Sequence, residues 1–227
     1  MGHRLGTLLL VIGLGVLAWA ATVYLWKDPF TTAYTAYEQR RLASNLDENF
    51  ESWQPAPVPK PVSRPTPTPK PIPKPKHDDL SREAKRFRLA SDNGDAIARL
   101  RVPRLDLNLV VVNGTNASDL RRGPGRHEDT FMPGEGKIVY VAGHRTTYGA
   151  PFSEINQLDV GDPITVELPY GSVEYRVTSH RIVDDNDLAV LKSHGREELV
   201  LQACHPRFFA SQRYLVYARP VSTEARS

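Results

Sequence analysis

A run of alternating prolines divides this chain before any other feature does. It lies in residues 54–76 and includes Pro-Thr-Pro-Thr-Pro-Lys-Pro-Ile-Pro-Lys-Pro at 65–75. Proline carries no amide proton and has a fixed φ, so such a segment builds neither helix nor sheet and favours polyproline II. At about 3.1 Å per residue, Gln54 to Pro75 would reach roughly 70 Å. The chain on either side must therefore be read separately. The tract reads as a spacer, or more sharply as a stalk holding a domain off a membrane and within a cell wall. Lys60, Arg64, Lys70, Lys74 and Lys76 would then meet anionic wall polymers, or simply keep the stalk soluble.

Before the tract, Leu5 to Trp26 contains no charged residue. At about 1.5 Å per residue it spans roughly 33 Å, enough for a hydrocarbon core of about 30 Å. His3, Arg4 and the amino terminus precede it, which predicts a cytoplasmic N-terminus and an extracytoplasmic remainder. Trp19, Tyr24 and Trp26 suit the outer interface. A cleaved signal peptide is the rival, with Ala18-Trp19-Ala20 as a passable processing site. The apolar run continues past that site, which favours a retained single-pass anchor. The expected division is a cytoplasmic tip and anchor at 1–26, a stalk at 27–81, a catalytic domain at 82–221 and a tail at 222–227. A short helix is expected around Tyr34 to Asn49.

After the tract the pattern becomes short strands with turn signals. Strands are expected at 96–102, 109–112, 138–142, 164–168, 173–183, 199–203 and 214–218. Turns fall at Asn113-Gly114, Pro133-Gly134, Val160 to Pro163 and Tyr170-Gly171. Helix is expected only as one turn near Ala117 to Arg121 and another near Phe152 to Leu158. Many short strands in so few residues predict a closed β-barrel or a sandwich. A formal charge of +3 without a concentrated basic patch excludes a nucleic-acid reader. Zinc spacing, a P-loop and a dinucleotide fingerprint are absent from the sequence.

Three polar residues stand at strand ends. His144 follows 139–143, Cys204 follows 199–203, and Arg213 precedes 214–218. Cys204 is the single cysteine. An exported thiol without a disulfide partner is either buried as a small apolar residue or used as a nucleophile. The loop from His205 to Gln212 is short enough to join adjacent antiparallel strands, which would bring Cys204 and Arg213 together. Spacing alone does not place His144 beside them, and His205 and Arg207 compete for the same roles. In acyl transfer a thiolate attacks a carbonyl, an imidazole moves the proton, and a guanidinium holds the oxyanion.

Several runs follow one another between about Gly94 and Pro220: Arg101 to Leu105, Gly123-Pro124-Gly125, Phe131-Met132-Pro133-Gly134, Ala142 to Phe152, Leu158 to Asp162, and Cys204-His205-Pro206-Arg207-Phe208 with Arg213 beyond. In this order they resemble the sortases, the cysteine transpeptidases that attach proteins to Gram-positive envelopes. Gly-His-Arg-Thr-Thr-Tyr-Gly-Ala-Pro-Phe with Cys-His-Pro-Arg-Phe is most similar to class E sortases of actinobacterial type. The resemblance implies a mainly β fold, an eight-stranded closed barrel with few short helices. It implies Cys204 as nucleophile, His144 as general acid/base and Arg213 as oxyanion and substrate clamp. It further implies cleavage of an LPxTG- or LAxTG-like sorting signal between Thr and Gly, a thioester, and transfer to an amine of a cell-wall precursor or a pilin. No cofactor and no metal are implied; Asp184, Asp185 and Asp187 read as a solvated turn rather than a calcium site.

Two departures bear on specificity. The family often has Thr-Leu-x-Thr before the nucleophile, where this chain has Leu199-Val200-Leu201-Gln202-Ala203. Class E members often carry a tyrosine after Gly-Pro-Gly-His, where this chain has Arg126 and His127 after Gly125. His127, Gln202, Ala203 and Tyr148 are therefore the candidate substrate-binding residues. The signal's second position, Pro or Ala, is left open. A non-catalytic or divergent wall-binding β-domain remains the alternative. An L,D-type wall transpeptidase is disfavoured, because its Ser-x-Gly-Cys signature is absent.

Overall fold

The computed structural model describes residues 2–25, 28–56 and 76–226. Trp26, Lys27 and the tract 57–75, with Lys60, Arg64, Lys70 and Lys74, lie outside the described residues, as do the side chains of Tyr24 and Lys76. Helix α1 (Gly2–Leu25) includes an apolar span, His3–Thr22, with a mean hydropathy of 2.1 and none of it buried. Among the described residues it is the one helix long and apolar enough to cross a membrane.

Eight strands close a barrel: β1 (Ala96–Val102), β2 (Leu107–Asn113), β3 (Gly125–Arg126), β4 (Ile138–Ala142), β5 (Pro163–Leu168), β6 (Gly171–Asp184), β7 (Glu198–His205) and β8 (Gln212–Ala225). Their order around the barrel is β1-β2-β3-β4-β7-β8-β6-β5. The mainly β, closed eight-stranded fold expected above is the fold observed. Most neighbours are antiparallel, but β2–β3 and β4–β7 run parallel.

Strand alternation sorts the side chains into two apolar clusters. Val139 and Val141 of β4, Leu199, Leu201 and Ala203 of β7, and Val216 and Ala218 of β8 face the interior with Leu100, Phe152 and Tyr175. Ile138, Tyr140, Ala142, Val200 and Leu215 face outward instead. There they meet Val183 of β6 and Val190, from the 3-10 turn Leu188–Leu191 in the β6–β7 connection. Asp187, one of the three acidic residues read as a turn, caps that turn by accepting from the Ala189 amide at 3.0 Å.

Two elements differ from the sequence reading. The two-residue β3 was not foreseen; a Cβ on Gly125 would run into the Gly114 carbonyl, so the close approach needs glycine there. Strand β8 continues to Ala225, beyond Ala218. The register of β6 against β8 shifts between Glu174 and Tyr175, where Pro220 is the partner, and such an irregularity accommodates a residue without an amide proton.

The interval before the barrel, expected as a stalk with one short helix, is helical at both ends and packed. Helix α2 (Pro29–Ser52) starts at the Asp28 cap, whose Oδ1 accepts from the Phe30 amide at 3.1 Å, with proline at the first helical position. Its Leu42 and Leu46 are buried against Ala96, Val110 and Val112. Helix α3 (Lys76–Ala90) buries Leu80, Ala84 and Phe87 in the main core. The two borders of the proline tract are tied to each other: Arg86 donates to the Gln54 carbonyl, the Ala56 amide donates to Glu83 Oε1 at 3.1 Å, and Trp53 meets Phe87 edge-on at 5.2 Å.

Gln39 of α2 acts as a substitute strand. Strand β3 reaches only Val112 and Asn113 of β2, so Val110 has no backbone partner from β3. The Gln39 amide takes that place. Its Oε1 accepts from Val110 N at 2.7 Å, and its Nε2 donates to Val110 O at 3.0 Å and Arg122 O at 2.8 Å. Gln39→Leu leaves these backbone groups unpaired at a helix-covered site. It is expected to destabilise the barrel by about 1–3 kcal/mol, measured by urea unfolding of the detergent-solubilised chain.

Candidate active site

The outward face of β7 carries Val200, Gln202 and Cys204, and that of β8 carries Arg213, Leu215 and Tyr217. Cys204 is the register partner of Arg213, and Gln202 of Leu215. The short-loop expectation for Cys204 and Arg213 is thus met by the strand pairing. Position 144 is brought in by the parallel pairing of β4 with β7. Ala142 is level with Gln202, and the Gly143 amide donates to the Gln202 carbonyl at 3.0 Å. Two residues further on each chain stand His144 and Cys204, at neighbouring strand ends. Both side chains are half-buried.

His144 opens a tightly wound loop. The Phe152 amide donates to the His144 carbonyl at 3.1 Å, and the Phe152 ring packs close against Gly143 inside the barrel. Tyr148 (φ 52°) and Ala150 (φ 43°) lie in the left-handed region, a strained choice for non-glycine residues. The Tyr148 amide donates to Thr31 Oγ1 of α2 at 2.9 Å, which helps hold that turn. The Tyr148 ring lies 5.1 Å from the His144 ring and 6.4 Å from Tyr34 of α2, with the Arg121 guanidinium 5.7 Å above it.

Burial pushes the His144 imidazole below its ordinary value, and repulsion by Arg121 adds to this. His144 is therefore held neutral. The unfolded chain binds the proton more readily than the folded one. Stability from this site is complete above the ordinary histidine value of about 6.5 and is lost as pH falls through the lower folded value. His144→Gln is expected to lose less stability than the parent between pH 7.5 and pH 5, measured by urea unfolding at both.

Arg213 Nη1 donates to the carbonyls of Ala210, at 2.7 Å, and Gln212, at 2.9 Å, so its guanidinium is turned along the β7–β8 loop. The rivals are engaged elsewhere. Arg207 pairs with Glu154 at 3.3 Å. His205 Nδ1 lies 3.0 Å from Arg145 Nη1. A guanidinium only donates, so His205 Nδ1 accepts and the ring's proton sits on Nε2.

Of the candidate substrate-binding residues, Gln202 and Tyr148 lie beside Cys204 and His144. His127 follows β3, with its amide bonded to Tyr140 O at 2.8 Å and its ring edge-on to Tyr140 at 6.3 Å. Ala203 does not belong with them. It is fully buried in the main core, because alternation turns it inward between outward-facing Gln202 and Cys204. Arg126, beside His127, is buried as well. Desolvation lowers its pKa to about 10 while it donates to Asn113 Oδ1 at 2.6 and 3.0 Å. Residues that received no role from the sequence, Arg121, Arg145 and Thr31, border the site. Arg145 stood in the quoted motif, but only the fold shows what it touches.

A sequence model of the sortase domain matches residues 100–221. The chain belongs to the sortase family. It is 33% identical over 135 residues to sortase D of Bacillus subtilis, a match covering 58% of this sortase and 67% of that one. It is 32% identical over 151 residues to SrtE1 of Streptomyces coelicolor, covering 59% of this chain and 43% of that protein. The structure of sortase E1 from Streptomyces coelicolor with a tripeptide in its active site matches with a TM-score of 0.55 and 30% identity, over 60% of this chain and 94% of that one. The class E relation read from the motifs is thus supported, alongside an equal likeness to sortase D. The sortase is a cysteine transpeptidase by family, and such enzymes act on sorting-signal proteins and amine acceptors.

Proposed function

We propose that this sortase is a single-pass membrane enzyme whose N-terminus is cytoplasmic and whose barrel is extracytoplasmic. In this reading it cleaves an LPxTG- or LAxTG-like signal between Thr and Gly and transfers the protein to an amine of the cell wall or a pilin. The observation that carries the chemistry is the register match of Cys204 with Arg213, flanked by His144 at the adjacent end of β4. Support for an extracytoplasmic barrel comes from His3 and Arg4 ahead of the apolar span.

The neutral His144 imidazole takes the Cys204 thiol proton as Sγ attacks the threonine carbonyl. Arg213, swung from the loop carbonyls, pairs with the oxyanion, a contribution of a few kcal/mol to the transition state. The intermediate collapses as His144 gives the proton to the departing glycine amine, leaving a thioester on Cys204. An incoming amine then attacks the thioester while His144 removes its proton, and the proton returns to Sγ as the thiolate leaves. The outward apolar row Ile138, Tyr140, Val200 and Leu215 is itself buried beneath Val183 and Val190, so the half-buried side chains beside Cys204 and His144, Gln202 and Tyr148, are the ones left to meet the signal. Gln202, in the row between Val200 and Cys204, is placed to read the signal's middle residues.

The test uses the full chain in detergent with LPxTG- and LAxTG-type peptides and an amine acceptor, followed by mass spectrometry. A peptide adduct on Cys204 and a ligated product are expected. Absence of both with every such peptide would overturn the reading and leave the wall-binding alternative.

A further inference from the structure

Arg145 is a buried cation whose nearest partners are not carboxylates. It is 8% exposed, and among the described residues no acidic side chain forms an ion pair with it. Leaving a charge so deep is costly unless its hydrogen bonds are satisfied, and here they form a fork. Nε reaches the Ser153 carbonyl at 3.4 Å and Nη2 donates to Asn156 Oδ1 at 2.7 Å. Nη1 donates to the Cys204 carbonyl at 3.2 Å and to His205 Nδ1 at 3.0 Å. The first pair belongs to the loop that begins with His144. The second pair belongs to the strand end that carries Cys204.

We propose that Arg145 is a positioning residue that locks the His144 loop to the Cys204 strand end, fixing the separation of imidazole and thiol and holding His205 by its Nδ1. This rests on the roles assigned above to Cys204 and His144. Strands β4 and β7 pair only as far as Ala142 and Gln202, with one further bond from Gly143. Beyond that point side chains join the two ends among the described residues: the buried Arg145 fork and the more exposed Arg207–Glu154 pair. A lysine would keep the charge but, having one nitrogen, cannot hold four acceptors in a plane. The Tyr214 ring packs against both members of the contact, with Arg145 5.7 Å above it and His205 5.8 Å away.

The charged and titratable groups around this strand end come from several elements. His144 and Arg145 lie in the loop after β4, His205 and Arg207 follow Cys204 on its own chain, and Arg213 and Tyr214 come from β8. Glu154 neutralises Arg207.

Arg145→Lys and Arg145→Gln in the full-length chain test this, with kcat and KM for peptide transfer, thermal unfolding, and iodoacetamide alkylation at Cys204. Both variants are expected to fold and to lose at least about 30-fold in kcat with KM within about threefold, since a misplaced base costs rate rather than binding. Cys204 is expected to remain open to alkylation in both variants, since the thiol keeps its place on β7 while the base is displaced. Parent-like kcat in both variants would overturn the proposal. So would a rise in KM at constant kcat, which indicates substrate contact, or failure of both to fold, which indicates a scaffold role. Cys204→Ala measured alongside separates the two levels: activity that survives it removes the nucleophile assignment itself.

Discussion

Cys204→Ala is expected to fold like the parent and to form no acyl-enzyme, with transfer reduced by four orders of magnitude or more, on the order expected when a covalent nucleophile is removed. The expectation of an intact fold has a specific basis. Cys204 faces outward from β7, so its sulfur fills no space in the main core. Its strand pairing with Arg213 and its contact with Arg145 use backbone atoms, which alanine retains. Activity and stability are therefore separable at this residue. Far-UV circular dichroism and thermal unfolding check the fold, while intact-mass spectrometry after peptide incubation checks the thioester. His144→Ala is expected to follow the same pattern with a smaller loss, roughly 10²–10⁴-fold, the usual share of general acid–base catalysis. If His205→Ala were the more damaging change, the acid/base would be misassigned, because His205 Nδ1 is already occupied by Arg145.

Phe152→Ala carries the largest expected cost in stability, about 3–5 kcal/mol. The ring is fully buried in the main core, and its own amide is bonded to the His144 carbonyl. The cavity would open directly beneath the loop that presents the imidazole, so activity should fall even in molecules that remain folded. The reciprocal change is Gly143→Ala. An added methyl would stand 2.6 Å from Phe152 Cδ2 and 2.8 Å from Cε2 of a fully buried ring. It should lose rate by displacing His144 while leaving Cys204 available to alkylation. Urea unfolding and alkylation rate, measured on both variants, distinguish a collapsed core from a displaced base.

The barrel was largely legible because its strands carry short apolar runs bounded by glycine and proline. The pairing of Cys204 with Arg213 was legible for a simpler reason: the connecting loop is short. His144 was not placed by spacing, because its position depends on a parallel pairing between residues about sixty apart, 142 and 202, which no local pattern encodes. Ala203 shows a signal that was present in the sequence. Leu199, Leu201 and Ala203 alternate as an inward row, and that row excludes Ala203 from the substrate face. Helix α3 was also partly written in the chain, since Leu80, Ala84 and Phe87 recur at i, i+4 and i+7, but its many charges and the adjoining prolines masked the stripe. Helix α2 contains the short helix read at 34–49, but its docking was not foreseen, because Thr35 and Gln39 meet the backbone carbonyls of Arg121 and Val110 and such polar contacts carry no hydrophobic period.

The packing of α2 and α3 on one barrel changes what the proline tract can measure. Only residues 26–28 separate the apolar helix from α2, whereas the prolines begin after α2 has docked and end where α3 starts to dock. Whatever path residues 57–75 take, both borders are pinned together at Gln54–Arg86 and Ala56–Glu83. The tract is thus a side-branch in the chain's route rather than a segment of its length, as a buckle's spare strap adds nothing to a belt's girth. Its extension does not enter the path from the apolar helix to the barrel. Since the entropy of closing such a loop grows only with the logarithm of its length, at about 0.6 kcal/mol per doubling, evolution is free to lengthen or shorten it without moving Cys204.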